Sequence, residues 1–214
     1  MKLRFLSVVF AGVLFQSTAH AQASDFEGLS IGVNASVAHS TTKYSGDWRA
    51  FGSVSQNVRK FTGGVDASYS KAFGKSMLFG VGATYQPLAH AMNAEKLYFA
   101  TQDTGLRLSS KGKNHFSVYA KPTFLLDENT AIYGKFGYHA IKLTANIKNL
   151  NGPDSKSINT NGVGFGLGII QKLNSHVYLN LEGEFVSYSK KSIIPRGPVR
   201  LTSSEFKVGL GYKF

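Results

Sequence analysis

Residues 204–214 read SEFKVGLGYKF, and apolar side chains alternate with small or charged ones along the whole stretch. The larger apolar residues share one parity: Phe206, Val208, Leu210, Tyr212 and Phe214. The opposite parity holds Lys207, Gly209, Gly211 and Lys213. Strict alternation with a period of two predicts a β-strand that has one apolar face and one small or polar face.

The first 21 residues have the pattern of a secretion signal that is removed after export. Lys2 and Arg4 form a charged start, residues 5–15 are apolar, and Ala19-His20-Ala21 is a small-x-small cleavage site. We therefore predict a cleaved signal peptide over residues 1–21 and a single mature domain over residues 22–214. The sequence has no cysteine, so the exported protein must fold without disulfides.

Composition narrows the class of protein. After the signal segment, no stretch has the roughly 18 unbroken apolar residues that a membrane helix needs. A mature chain without Lys2 and Arg4 keeps 22 of the 24 basic residues against 12 acidic ones. A basic surplus can indicate nucleic acid binding, but export makes nucleic acid an unsuitable partner. The phosphates of lipopolysaccharide are the nearer anionic partner.

The alternating pattern of the final strand recurs along the mature chain. Eight strands are predicted at about 26–38, 59–72, 77–87, 115–126, 131–143, 161–173, 177–188 and 204–214. They are joined alternately by long polar segments, about 39–58, 88–114, 145–160 and 189–203, and by turns of three or four residues. Pro122 falls inside the fourth strand, where we expect a local bulge.

The inward face of these strands decides between a soluble and a membrane barrel. In the sixth strand Val163, Phe165 and Leu167 alternate with glycines, and other strands place serine and charge on the parity opposite their apolar residues. A face of glycine, serine and charge cannot form an apolar core, so the apolar face must meet lipid. An even strand number with alternating short and long connections is typical of outer-membrane barrels. We predict an all-β, eight-stranded antiparallel transmembrane barrel, an up-and-down meander with short periplasmic turns and long extracellular loops.

These features resemble the small eight-stranded outer-membrane proteins, which include the transmembrane domain of outer-membrane protein A and the opacity porin-like family. The likeness is carried by the signal peptide, Phe26-Glu27-Gly28, the glycine-rich sixth strand and the ending Gly211-Tyr212-Lys213-Phe214. It implies a bacterial outer-membrane location, outer-membrane lipid as surroundings and the outer-membrane assembly machinery as a partner. It also implies that Tyr212 and Phe214 act as a C-terminal assembly signal. The protein is predicted to be monomeric or weakly associating.

Ionisable residues on the inward face are predicted to form a charge network near the middle of the membrane. The set is Asp66, Lys121, Lys135, His139, Glu182, Glu184 and Lys207. An eight-stranded barrel is barely wide enough for its own side chains, so a balanced network would seal the lumen. The alternative is a gated or narrow conducting path through the same residues.

Enzymes also occur on this architecture. A lipid A deacylase would need a His-x-Ser pair and a carboxylate that orients the histidine. His115 and Ser117 have a suitable spacing, but both have inward parity, away from lipid. Glu128, a carboxylate that follows them in the sequence, falls in the opposite, periplasmic turn. No catalytic, cofactor-binding or metal-binding residues are predicted, and the protein is interpreted as non-enzymatic.

The long loops are rich in basic and aromatic residues that could contact lipopolysaccharide, host glycans or matrix proteins. The candidates are Trp48, Arg49, Lys96, Arg107, Lys111, Lys113, Lys190, Lys191, Arg196 and Arg200. The predicted function is therefore envelope integrity and surface interaction or adhesion through basic extracellular loops. A small porin-like channel for ions or small solutes is the first alternative, and a lipid A-modifying enzyme is the second.

Overall fold

A computed structural model describes residues 23–44, 55–87, 95–99, 102–149, 152–194 and 197–214. A short 3-10 turn, Ala23–Phe26, precedes the first strand. The strands in chain order are β1 (Gly28–Tyr44), β2 (Ser55–Phe73), β3 (Met77–Gln86), β4 (Glu95–Phe99), β5 (Gln102–Leu125), β6 (Thr130–Asn149), β7 (Gly152–Lys172), β8 (Val177–Tyr188), β9 (Lys191–Ile194) and β10 (Gly197–Lys213). Within these ranges no helix has the length and apolar character needed to cross a membrane.

Eight of the strands form a closed antiparallel wall in the order β1-β2-β3-β5-β6-β7-β8-β10. The wall closes because β10 pairs with β1, from Ser30 opposite Lys213 to Tyr44 opposite Val199. The short strands β4 and β9 pair with β5 and β10 and lie outside this circuit. The predicted eight-stranded meander is therefore confirmed.

The outer surface of the wall is apolar, as the alternation predicted. Val163 and Leu167 on β7 are 67% and 61% exposed, while Lys135 and Glu184 on the inward parity are buried. A water-soluble barrel would show the reverse distribution, with its apolar side chains inside. A belt of exposed apolar residues around a closed antiparallel wall is the arrangement that lipid stabilises.

The two ends of the barrel differ. Short turns at 74–76, 126–129 and 173–176 lie at one end, here called the turn end. The opposite end, here called the loop end, carries the long strand extensions. In an outer-membrane barrel the turn end faces the periplasm and the loop end faces the outside.

Strands continue further toward the loop end than the sequence predicted. The segment 145–160 was expected to be a loop, but β6 and β7 pair from Thr130 opposite Gln171 up to Asn149 opposite Gly152. The prediction was wrong because both faces of a strand that projects beyond lipid can be polar. The period-two apolar signal then disappears although the backbone pairing continues.

The expected bulge at Pro122 was also wrong. Pro122 stays in register opposite Phe79, and the pairing of β5 with β6 does not shift there. The register shift lies between Lys113 and Phe116, and Asn114 has a φ of 53°. Asparagine tolerates this left-handed conformation better than most residues, so the bulge forms at Asn114.

Candidate functional site

The lumen contains a buried group of charges, here called the central ionic layer: Lys135, Glu182, Glu184, Glu205 and Lys207. One oxygen of Glu182 lies 3.0 Å from Lys135 Nζ and 3.0 Å from Lys207 Nζ. The other oxygen accepts a hydrogen bond of 2.9 Å from the hydroxyl of Tyr133. Glu182 therefore joins the lysines of β6 and β10 from its position on β8.

Glu184, two residues further along β8, contacts the same two lysines. Its Oε1 lies 3.3 Å from Lys135 Nζ, and its Oε2 forms an ion pair with Lys207 Nζ. The strand period of two places Glu182 and Glu184 on the same inward face. Each lysine is thus held between two carboxylates, which offsets the cost of burying its charge.

Glu205 is a member of this layer that the sequence analysis missed. Its Oε2 lies 3.6 Å from Lys207 Nζ, while its Oε1 accepts hydrogen bonds from Ser36 Oγ and, at 2.7 Å, from Gln86 Nε2. Glu205 shares the inward parity of Lys207 on the final strand. That parity was the signal available in the sequence.

Two stacked histidines lie on the loop-end side of the ionic layer. His139 Nδ1 lies 3.0 Å from His115 Nε2, and the ring centroids are 5.2 Å apart with nearly parallel planes. His115 Nδ1 contacts Gln86 Oε1 at 2.5 Å, and His139 Nε2 lies 3.6 Å from Glu184. Polar contacts therefore run from Glu184 through both histidines and Gln86 to Glu205.

Asp66 and Lys121, also predicted to belong to the charge network, lie on the turn-end side of the layer. Both line a cavity of about 30 Å³ that also meets Tyr119, Tyr133 and Glu182. Lys121 Nζ donates a hydrogen bond of 3.1 Å to Ser68 Oγ. A polar cavity of this size accommodates about two waters.

Inward glycines make room for the lumen tyrosines. Gly82 is the cross-strand partner of Tyr119, and a Cβ added there would lie 2.5 Å from the Tyr119 hydroxyl. Gly168 is the partner of Tyr133 and is covered by its ring in the same way. The glycines therefore let aromatic rings fill a narrow lumen.

Apolar clusters lie in the lumen on both sides of the ionic layer. The loop-end cluster contains Ile141, Leu143, Val186, Tyr188 and Leu201, with Val58 and Ile158 packed against it. The turn-end cluster contains Ala23, Leu78, Leu125, Ala131, Tyr133 and Ile170, with Phe26, Ala72 and Tyr178 packed against it. The 3-10 turn contributes Ala23 and Phe26, so the N-terminal segment helps to fill the turn-end mouth.

The predicted surface residues are only partly described. The side chains of Lys113, Lys190, Lys191 and Arg200 are exposed at the loop end. Trp48, Arg49 and Arg196 lie outside the described residues, as do the side chains of Lys96, Arg107 and Lys111. The described part of this set forms an exposed basic surface rather than a pocket.

The predicted assembly residues lie at the turn end of the closing strand. Tyr212 and Phe214 are exposed on the outward face, and their rings meet edge to face with centroids 5.0 Å apart. The backbone N–H of Phe214 donates to Leu29 O at 2.9 Å. The final residue thus takes part in closing β10 against β1.

The pattern considered for a lipid A deacylase lies inside the barrel. His115 and Ser117 are buried on the lumen face, and Glu128 is exposed in the turn 126–129. Among the described residues, no cluster of three histidine or carboxylate side chains could hold a metal ion.

The comparison with protein families agrees with this architecture. The outer membrane protein beta-barrel domain family matches residues 8–214. The chain belongs to this family. It is therefore an outer-membrane barrel, and its exposed apolar belt meets the lipid of the bacterial outer membrane. No curated protein matches the sequence.

Solved structures show the same fold at low sequence identity. OprG from Pseudomonas aeruginosa is 14% identical, with a TM-score of 0.52, and the match covers 88% of this chain and 96% of OprG. The outer membrane protease OmpT from Escherichia coli is 7% identical, with a TM-score of 0.51 and coverage of 87% and 96%. Ail, the attachment invasion locus protein of Yersinia pestis, is 16% identical, with a TM-score of 0.49 and coverage of 87% and 99%. At these identities the likeness concerns the fold alone.

Proposed function

We propose that this outer-membrane barrel is non-conducting and non-enzymatic, and that it acts through its loop end in envelope integrity and surface interaction. The observation that carries this proposal is the filled lumen. The central ionic layer lies between two apolar clusters, and its lysines are each held between carboxylates. An ion entering this lumen would have to displace paired charges and packed side chains.

The loop-end cluster gives the strongest argument against a channel. Its side chains come from β2, β6, β7, β8 and β10, and so reach across the lumen from several sides of the wall. Transfer of a hydrated ion through such a cluster would expose the ion to an apolar surface and would be costly. The geometry therefore supports a sealed barrel.

Single-channel recording in a planar bilayer tests the sealed lumen. We expect the refolded wild-type protein to show no discrete openings, with Glu184→Gln measured beside it and Glu128→Gln, in an exposed turn, as the control. Stable openings of the wild type that Glu184→Gln alters and Glu128→Gln does not would overturn the proposal and assign the ionic layer to a conducting path.

The surface role requires a separate test. Lipopolysaccharide and host or matrix surface molecules are the proposed partners of the basic loop end, because exposed lysine and arginine attract anionic groups. Exchange of the loops for short neutral turns should abolish binding of whole cells to immobilised heparin or matrix protein while the barrel stays folded. Unchanged binding after the exchange would refute a role for the loops.

Two further proposals concern biogenesis. Residues 1–21 are proposed to be removed on export. N-terminal sequencing of the outer-membrane form tests this proposal, and Gln22 is the expected first residue.

Tyr212 and Phe214 are proposed to be recognised by the outer-membrane assembly machinery. Phe214→Ala should slow insertion in cells but leave refolding in pure detergent nearly unchanged, and equal slowing in both would indicate a purely structural role.

A further inference from the structure

Two lysines lie side by side on the outward face of the barrel at the edge of its apolar belt. Lys113 on β5 and Lys142 on β6 are direct cross-strand partners, and both side chains are exposed. The next outward pair toward the turn end is Phe116 and Ala140, which belongs to the apolar belt. The lysine pair therefore stands where the lipid tails give way to headgroups.

The bulge at Asn114 produces this pairing. On β5 the outward positions are even-numbered from Phe124 up to Phe116, so an unbroken strand would point Lys113 into the lumen. The register shift between Lys113 and Phe116 moves Lys113 to the outward face beside Asn114. Bulges commonly re-aim a side chain in this way.

Hydrogen bonds fix the position of Asn114 on one side of the lysine pair, and a second asparagine, Asn159, lies on the other side. The Tyr85 hydroxyl donates a 3.3 Å hydrogen bond to Asn114 Oδ1, and the Asn114 N–H donates to Pro87 O at 3.4 Å. On the other side, Lys142 is the cross-strand partner of Asn159 on β7, whose side chain is exposed. Two cations are thus flanked by amide side chains that can bond to phosphate or sugar oxygens.

Like charges placed directly opposite each other on adjacent strands destabilise a sheet unless an opposite charge offsets them. The carboxylates whose side chains are described lie either at the turn end or in the lumen: Asp25, Glu27, Asp127 and Glu128 at the turn end, and Asp66, Glu182, Glu184 and Glu205 in the lumen. None of these described groups lies on the outward face beside the lysines. Within the described part of the chain, Lys113 and Lys142 therefore have no carboxylate beside them, and an anionic group of the membrane could offset their charge.

We propose that Lys113 and Lys142, with Asn114 and Asn159 beside them, form a binding site for a phosphate group of lipid A in the outer leaflet. The height of the site at the edge of the apolar belt matches the headgroup region, and two adjacent ammonium groups suit a dianionic phosphate. This inference rests on the proposed contact between the loop end and lipopolysaccharide. It assigns that contact to the barrel wall rather than to the loops alone.

Another basic pair with described side chains lies elsewhere on the wall. Lys43 on β1 and Arg200 on β10 are cross-strand partners with exposed side chains. This pair lies further from the apolar belt, at three outward positions beyond Phe206. Neither pair has a described carboxylate beside it, which favours an anionic surrounding, and the position of Lys113 and Lys142 favours the phosphate nearest the lipid tails.

Binding of fluorescently labelled lipid A to the refolded full chain in neutral detergent micelles tests the site. We expect bis-phosphorylated lipid A to bind more tightly than the same lipid with both phosphates removed. Lys113→Gln and Lys142→Gln should each weaken binding by about fivefold, and the double variant by about 25-fold, as expected for the loss of one or two cations near an anionic surface. Lys113→Arg and Lys142→Arg should retain most of the affinity.

Lys71→Gln is the matched control, because Lys71 is an exposed outward lysine at the turn end; its affinity should equal that of the wild type. Equal binding of the two lipid A forms, or an equal loss in Lys71→Gln, would overturn the proposal. Equally tight binding of phosphatidylglycerol at the same phosphate concentration would assign the lysines to general anionic lipid instead. Channel openings, or unchanged cell binding after loop exchange, would refute the proposed function but would leave this lipid measurement unaffected.

Discussion

The barrel contains two pairs of lysines that differ in whether carboxylates lie beside them. In the lumen, Lys135 and Lys207 are buried and each contacts both Glu182 and Glu184. On the outward face, Lys113 and Lys142 are direct cross-strand partners, and none of the described carboxylates lies beside them. The same residue type is paired with carboxylates in one place and has no described carboxylate beside it in the other.

The surroundings of each pair explain the difference. A narrow lumen filled by side chains holds little water, so an uncompensated charge there would carry a large desolvation cost. The chain must therefore supply the counter-ions itself. The outward pair lies at the membrane edge, where water and lipid headgroups can supply them. The inward charges therefore affect the stability of the barrel, whereas the outward charges interact with its surroundings.

Removal of a lumen lysine should have the largest effect. Lys207→Met would leave Glu182 and Glu184 to share Lys135 and would remove the lysine that Glu205 contacts. We expect the free energy of unfolding to fall by about 3–5 kcal/mol, as for a broken buried ion pair. Urea titration in phosphatidylcholine vesicles, followed by the gel mobility of unheated samples, measures it. Lys75→Met, in an exposed turn, should leave the unfolding midpoint unchanged. An equal loss in both variants would contradict the assigned role of the ionic layer.

Neutralisation of one lumen carboxylate should have a smaller effect. Glu184→Gln keeps the shape of the side chain, and Glu182 still pairs with both lysines, so the loss should be about 1.5–3 kcal/mol, typical for a charged hydrogen bond. The same urea titration measures it, with Glu128→Gln as the exposed control. A Glu184→Gln barrel as stable as the wild type would show that the second carboxylate beside each lysine contributes nothing to the free energy of unfolding.

The lumen glycines offer a test of packing without charge. In Gly168→Ala the new methyl group would overlap the Tyr133 ring, which must then move and lose its hydrogen bond to Glu182. We expect a loss of about 1–2 kcal/mol from overpacking. Gly183→Ala is the matched control, because an added Cβ there meets nothing within 4 Å on the outward face. Equal stability of the two variants would mean that the lumen accommodates an added methyl group at Gly168 without strain.

The outward pair should give the smallest effect, and one of opposite sign. In phosphatidylcholine vesicles Lys142→Gln removes a like-charge repulsion, so the free energy of unfolding should rise by about 0.2–0.5 kcal/mol. High salt should erase this gain, because about 1 M salt screens charges beyond roughly 3 Å. Parallel urea titrations at low and high salt measure the difference. A lower free energy of unfolding for Lys142→Gln than for the wild type in neutral lipid would contradict repulsion between Lys113 and Lys142.

The architecture was largely predictable from the sequence. Alternation along β10 and β7, the number of alternating segments and the short turns between them predicted the eight-stranded meander, which the structure confirms. The segment 145–160 was predicted wrongly because polar strands beyond the lipid lose their apolar period. The bulge was expected at Pro122 and occurs at Asn114, because a proline can keep its register while an asparagine can adopt a left-handed conformation.

The candidate sites were predictable only in part. Inward parity selected Glu182, Glu184 and Lys207, but the partners of each charge depend on strands that are distant in the sequence. Glu205 was overlooked although its parity was visible. The link from His139 through His115 to Gln86 crosses β6, β5 and β3, and no spacing within one strand indicates it.

The sequence by itself determined the wall of this protein: its strands, the faces that meet lipid and the small or charged faces that meet the lumen. The alternation of apolar and polar residues can be recognised within a short stretch of sequence. It is strict in these strands because one face of each strand meets lipid. The tertiary structure alone decided which inward charges pair, which side chains form the apolar clusters of the lumen, and that Lys113 faces outward beside Lys142. Those features depend on the register between strands and on one bulge, and a shift of a single residue there moves a side chain to the other face of the wall.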